Sequence, residues 1–269
     1  MKSKKILYIC SQVTPYTEEP PLAMMCRTLP QLMQESGNEI RIFMPRYGSI
    51  NERRGQLHEV IRLSGMNLII GNSDHQLIIK VASIAGARVQ VYFIDNEDYF
   101  ARKATIQDDQ GNYFADNDER AIFFNRGVLE TVKKLRWSPD IVHCHGWISA
   151  IAPMYLRKVF ASDPIFNKSK IVVSLYNDDF QGSLSADFKD KLRKEGIKAA
   201  DVLGLEEPTY AALMSHTLQY ADGIVRASET LNPQLETIFN NTEKPRLEAM
   251  SETINPESYN QFYEEILSR

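Results

Sequence analysis

The chain has 269 residues, 43% of them hydrophobic and 25% charged, with a formal net charge of -4 and a pI near 5.8. That length can bury a large core, and the composition is that of a globular protein. The mild acidity gives no attraction to nucleic acid or to an anionic membrane, and no apolar run is long enough to span a bilayer. The N-terminus is charged and then enters an apolar run too short for a signal-peptide core, so the expected location is cytoplasmic. Cys10, Cys26 and Cys144 stand far apart in apolar surroundings. They read as buried, reduced thiols and not as a disulfide framework.

The predicted elements alternate. Ile6 to Cys10 is a nearly continuous apolar run, suited to a strand buried on both faces. Ser11 to Pro20 is a long, proline-rich loop. From Pro21 the apolar residues Leu22, Met25, Cys26, Leu29, Leu32 and Met33 recur at helical spacing. Gly37-Asn38 stops that helix. Glu39 to Met44 is a second strand. Asn67 to Ile70 and Gln76 to Ala82 read as a hairpin about Gly71 to Asp74. Arg88 to Ile94 is a further strand, followed by a polar loop from Asp95 to Gly111.

The acidic cluster Asp116 to Glu119 suits a helix N-terminus, with Asp116 and Arg120 spaced for an i, i+4 ion pair. Its helix runs on through Leu135. Ile141 to His145 is a strand, and Gly146-Trp147 opens a helix through Leu156. Lys170 to Leu175 is a buried strand. Asp187 to Ala200 and Pro208 to Tyr220 are helical, Gly223 to Ala227 is a short strand, and Glu229 to Phe239 is a helix. Asn240 to Asn255 carries no pattern, and a terminal helix spans 256–267. This predicts an α/β fold with a doubly wound, mainly parallel sheet and helices on both faces. We expect residues 1–269 to form one domain, with an antiparallel edge or insertion around 60–95.

In such a sheet, ligands sit beyond the carboxyl ends of the strands. The candidate residues there are the loop Glu18-Glu19-Pro20-Pro21 and, further on, His145, Trp147, Asn177 and Gln181. His143 and His145 are two apart on one strand and share a face. No third ligand comes with zinc spacing, so a hydrogen-bonded histidine pair is expected and no metal. The indole of Trp147 offers an apolar face for a sugar ring, or serves packing alone. Glu18 and Glu19 read as a solvated loop, since adjacent residues rarely set two carboxylates across a glycosidic bond.

Seven segments occur in an order that resembles one family: ILYICSQVTPY, RIFMPRYGSI, VYFIDNEDYF, FADNDERAIFF, WSPDIVHCHGW, the Gln181-Gly182 pair after a strand, and YADGIVRAS. Over Lys4 to Ser228 the chain resembles the N-terminal half of bacterial glycogen synthases and plant starch synthases. The resemblance implies the Rossmann-like N-terminal half of a GT-B glycosyltransferase. It also implies transfer of glucose from ADP-glucose to an α-1,4-glucan in glycogen metabolism.

The departures from the family pattern point elsewhere. The family's first loop reads Lys-Thr-Gly-Gly-Leu, where the lysine helps hold the sugar nucleotide and the glycines let backbone amides approach phosphate. Here it reads Glu18-Glu19-Pro20-Pro21-Leu22. Attraction to a diphosphate becomes repulsion, and two backbone donors are lost. The family's His-Asp-Trp-His becomes His145-Gly146-Trp147-Ile148. A family histidine is replaced by Tyr176 beside Asn177. The family's C-terminal domain, which completes the donor site, is not matched by any segment.

The leading expectation is therefore a stand-alone, catalytically degenerate synthase N-domain, without a cofactor and with a binding or regulatory role. Its partners would be a glucan or ADP-glucose, bound weakly, or another protein. One alternative is half of a split ADP-glucose-dependent glucosyltransferase completed by a partner domain. Another is an interaction module, such as a homodimer.

Overall fold

The structure, a computed structural model, describes residues 3–87, 89–250 and 254–269. The first unit is β1 (Lys5–Cys10), α1 (Pro21–Glu35) and β2 (Glu39–Pro45). A single turn, α2 (Glu52–Gly55), leads to β3 (His58–Glu59), β4 (Met66–Ile70) and β5 (Ser73–Ser83). Next come β6 (Gln90–Asp95), α3 (Glu97–Phe100) and α4 (Asn117–Lys134). The second half holds β7 (Ile141–His145), α5 (Ala152–Lys158), β8 (Lys170–Leu175) and α6 (Phe188–Lys194). It closes with α7 (Tyr210–Gln219), β9 (Gly223–Arg226), α8 (Pro233–Asn241), β10 (Arg246–Glu248) and α9 (Pro256–Ser268).

The strands lie in the order β10-β9-β8-β7-β1-β2-β6-β5-β3, with β4 paired to β5. From β10 to β6 every pairing is parallel. The segment β6-β2-β1-β7-β8-β9 is the 3-2-1-4-5-6 order of a doubly wound sheet. β1, β7 and β8 are buried nearly throughout because both faces are covered by helices. β1, for instance, buries Ile6 to Cys10 completely. β5 runs antiparallel to β6, β3 and β4. There the pattern alternates, and Ile69 of β4 is 64% exposed while Leu68 and Ile70 are buried.

Several boundaries differ from the sequence reading. Arg88, placed at the start of a strand, lies outside the described residues, and that strand runs Gln90–Asp95. Gly146-Trp147 does not open a helix. A 3-10 turn at Trp147–Ser149 comes first, and α5 starts at Ala152 with Pro153 in its first turn, where a missing N–H costs nothing. The helix expected from Asp187 ends at Lys194, because Gly196 turns the chain at φ +91°. The helix expected from Glu229 starts at Pro233, capped by Asn232. β10 falls inside the stretch that carried no pattern, of which Ser251, Glu252 and Thr253 lie outside the described residues.

α9 reaches back to the centre of the sheet. Lys4 pairs with Glu264 at 2.6 Å, and Asn38 meets Asn260 at 3.4 Å. The Tyr8 and Tyr263 hydroxyls are 3.2 Å apart. Tyr259 and Tyr263 are fully buried between α9 and the sheet.

Candidate functional site at the switch point of the sheet

Strand order reverses between β1 and β7, so the crevice beyond their carboxyl ends is where a ligand is expected. Ser11 leaves β1 and is tied to β7 by its N–H, which donates to the His145 carbonyl at 3.0 Å. The Tyr47 hydroxyl donates to the Ser11 carbonyl at 3.0 Å from the loop after β2. Gly146 leaves β7 at φ +82°, and a Cβ there would meet Ser11 Oγ at 2.2 Å and Leu22 Cδ1 at 2.8 Å. The two loops touch where the family carries an acid.

A cavity of about 660 Å³ opens above this contact. Pro20, Pro21 and Leu22 form one wall, and Trp147, Tyr176, Asn177 and Ser228 help form the others. Three acids line it: Asp178, Asp179 and Glu229. No lysine or arginine is among its described lining residues. The Asp178 carboxylate accepts from the Trp147 backbone at 2.9 Å and from the Tyr210 hydroxyl at 2.7 Å. Burial nevertheless raises its pKa above the ordinary carboxylate value. Asp179 accepts from Asn232 at 2.9 Å, while its other oxygen is buried without a partner among the described residues. Arg226, at the end of β9, is turned away onto the Glu229 carbonyl and the Glu236 carboxylate.

The residues singled out from sequence do not all meet. Pro20, Pro21, Trp147 and Asn177 line this cavity. Gln181 lines a neighbouring hollow of about 320 Å³, from which Trp147 separates the main cavity. Glu18 and Glu19 are exposed and line a third hollow, facing Arg54 and Lys103. Trp147 is only 3% exposed and packs edge-on against Phe180 with ring centroids 5.0 Å apart. Asn177 is exposed, with its amide near the Thr230 hydroxyl at 3.3 Å. α1 opens on Pro20 and Pro21 with no side-chain cap, so neither residue offers an N–H to a ligand. The sequence reading passed over Asp178, Asp179 and Glu229. The rule that finds ligands beyond strand ends would have reached all three, because they directly follow β8 and β9.

His145 is buried below the cavity and is not part of its lining. The His143 and His145 rings lie with centroids 4.0 Å apart and planes tilted by 39°, neighbours on their shared strand face. His143 is satisfied on both nitrogens, by the Tyr263 hydroxyl at 2.7 Å and the Ser174 hydroxyl at 2.8 Å. The expectation of a fully hydrogen-bonded pair fails at His145. Its Nδ1 meets the Tyr176 hydroxyl at 2.7 Å, but Nε2 is buried without a partner among the described residues. Burial holds both imidazoles below their usual pKa, His145 at about 3. Among the described residues, no group of three or more His, Cys, Asp or Glu is placed to hold a metal.

The acidic cluster also differs from expectation. Asp116 pairs with Arg102 and not with Arg120. Arg120 is fully buried, donating to the Tyr99 carbonyl at 2.8 Å and to Asn117 at 2.7 Å. The lowered pKa of Arg120, about 10, follows from that burial. Asp118 is fully buried and pairs with Lys191 at 2.7 Å.

A family profile described as the starch synthase catalytic domain matches residues 5–245. The chain belongs to the starch synthase catalytic domain family. It is 39% identical over 197 residues to a glycogen synthase of Chlorobium limicola, covering 73% of this chain and 40% of that protein. It is 34% identical over 255 residues to a glycogen synthase of Pelodictyon phaeoclathratiforme, covering 88% of this chain and 52% of that protein. The chain thus spans about half the length of the curated relatives it matches.

The fold matches the catalytic domain of starch synthase IV from Arabidopsis thaliana bound to ADP and acarbose. That likeness has a TM-score of 0.76 at 17% identity, over 93% of this chain and 52% of that one. Among the described residues of this synthase-like domain, no helix is long and apolar enough to cross a membrane.

Proposed function

We propose that this synthase-like domain no longer holds a sugar nucleotide and serves glycogen metabolism by binding a neutral glucan. The observation that supports the reading is the charge of the main cavity: three acids and no cation among its described lining residues. A diphosphate entering there meets like charge. The hydroxyls of a sugar instead find acceptors in Asp178, Asp179 and Glu229 and both donor and acceptor in Asn177. The two prolines opening α1 add to this, since a helix N-terminus binds phosphate through free N–H groups. His145, Trp147, Asn177 and Gln181 are then remnants of a cleft, the first two now serving packing. The joining of β1 to β3 and β5 to β10 in one sheet supports a single domain. Three buried free thiols support a reducing, cytoplasmic location.

The test is a binding titration of the purified chain with ADP, ADP-glucose and maltooligosaccharides. Saturable glucan binding without nucleotide binding is the expected result. Release of ADP from ADP-glucose in the presence of a maltooligosaccharide primer overturns it. If such release appears only when another chain is added, the split glucosyltransferase is the better reading.

A further inference from the structure

We propose a second binding site, for a small phosphate-bearing anion, at the opposite end of the sheet from the cavity described above. A hollow of about 650 Å³ lies where β8 and β9 begin. Arg157, Lys158, Lys168 and Lys170 line it, and Asp222 is its sole acid among the described residues. β8 has six residues at about 3.3 Å each, so about 20 Å of sheet separates the two ends.

The charges in the hollow are unevenly committed. Asp222 is committed through one oxygen, Oδ2, which accepts from the Arg157 guanidinium and from the Ile171 N–H at 2.7 Å. Lys158 is paired with Asp201 at 2.8 Å. Lys168 and Lys170 have no side-chain partner among the described residues. Lys168 is exposed and Lys170 half-buried.

A helix C-terminus adds negative potential, and α5 and α7 both end at this hollow. Arg157 and Lys158 stand in the last turn of α5, and Lys244 offsets the end of α7. Its ammonium donates to the carbonyls of Leu218 at 2.7 Å, Gln219 at 3.1 Å and Ala221 at 2.7 Å. Glu243, without an ion-pair partner among the described residues, lines the adjacent hollow, which shares Lys170 and Asp222 with this one. In a chain of net charge -4, the result is a concave site with two uncommitted cations and, among the described residues, one acid already paired with Arg157. Its volume suits a sugar phosphate, whose phosphoryl group would take the two lysine ammoniums as partners.

The experiment is isothermal titration of the full chain with inorganic phosphate, glucose 1-phosphate and, as a neutral control, glucose. Wild type and the Lys168→Ala/Lys170→Ala double variant are compared, with Lys168→Arg/Lys170→Arg as the charge-preserving control. The wild type is expected to bind a phosphate-bearing probe and not glucose. The alanine variant weakens it by at least about tenfold, and the arginine variant retains it. Tighter binding of glucose 1-phosphate than of inorganic phosphate assigns a sugar phosphate, and equal binding assigns the phosphoryl group alone. The unliganded melting temperature of the alanine variant should stay close to wild type, since neither ammonium has a hydrogen-bond or ion-pair partner among the described residues. Absence of binding at millimolar phosphate, or equal binding by the alanine variant, overturns the proposal. So does displacement of phosphate by a DNA duplex or an anionic vesicle, which would give the hollow to a macromolecule.

Discussion

Gly146 and Ser11 meet with no room for a side chain between them. A Cβ on Gly146 would lie 2.2 Å from the Ser11 hydroxyl oxygen. The family's acid therefore cannot be restored by one substitution. Gly146→Asp combines a positive-φ penalty with overpacking and should cost about 2–4 kcal/mol. Gly146→Asp/Ser11→Gly should recover the part of the overpacking due to Ser11 and leave the Leu22 contact and the backbone part. Urea unfolding of the two single variants and the double variant measures the coupling, and strictly additive costs would show that the contact is not the cause.

The loop of α1 should be separable from the rest of the cavity. Glu18→Lys/Pro20→Gly/Pro21→Gly returns a cation and two backbone donors at the entrance to α1. Its affinity for ADP should rise by at least about tenfold over wild type, read by isothermal titration. If ADP affinity does not change, the acids at the back of the cavity, and not the loop, set the preference.

Acid should weaken the fold through the histidine pair. Both imidazoles are neutral in the folded state because burial lowers their pKa, His145 from 6.5 to about 3. The unfolded chain binds protons that the folded chain refuses, so stability falls as pH drops below 6.5. The contribution is complete above that pH and is lost progressively toward pH 3. Each buried histidine adds about 1.4 kcal/mol per pH unit to the slope in that window. Asp178 and Asp118 have raised pKa values and act in the opposite sense at the lower end. Urea midpoints at pH 8, 7, 6 and 5 should be level and then fall. A His145→Asn variant whose slope equals that of wild type would remove His145 from the account.

Lys191 answers three carboxylates, of which Asp118 is fully buried. Lys191→Met leaves that carboxylate without its cation and should cost about 3 kcal/mol, while Lys191→Met/Asp118→Leu should recover most of the loss. Thermal melts of both variants decide it. A double variant less stable than the single one would mean that the pair is worth more than its desolvation.

The parallel core was legible because its strands are buried on both faces and read as largely apolar runs. Ile6 to Cys10 and Ile171 to Leu175 stand out because lysines precede them and polar residues follow soon after. β3 and β10 were not legible: two and three residues, with no apolar alternation to mark them. Asp116 and Arg120 show the limit of spacing arguments. An i, i+4 pair is favoured on an exposed helix face, but Arg120 faces inward. There Asn117 and the Tyr99 carbonyl take two of its nitrogens while its Nη2 has no hydrogen-bond partner among the described residues, and Arg102 arrives from another segment. Topology put the candidate cleft beyond the strand ends, where a cavity lies, yet the charge of that cavity was not read. Asp178 and Asp179 look like turn residues until the chain end of β8 is seen to open into the cavity beside Glu229 of another loop.

The bond between the Tyr8 and Tyr263 hydroxyls joins residues 255 apart in sequence. Lys4, Asn38 and His143 likewise take partners from α9. On a ribosome, β1 emerges first and must wait for residues 256–268 before these groups are matched. At about 5–20 residues per second that wait lasts on the order of ten seconds or more. During it the central strand has apolar neighbours but open polar contacts, so the order of synthesis runs against the order in which its core can close.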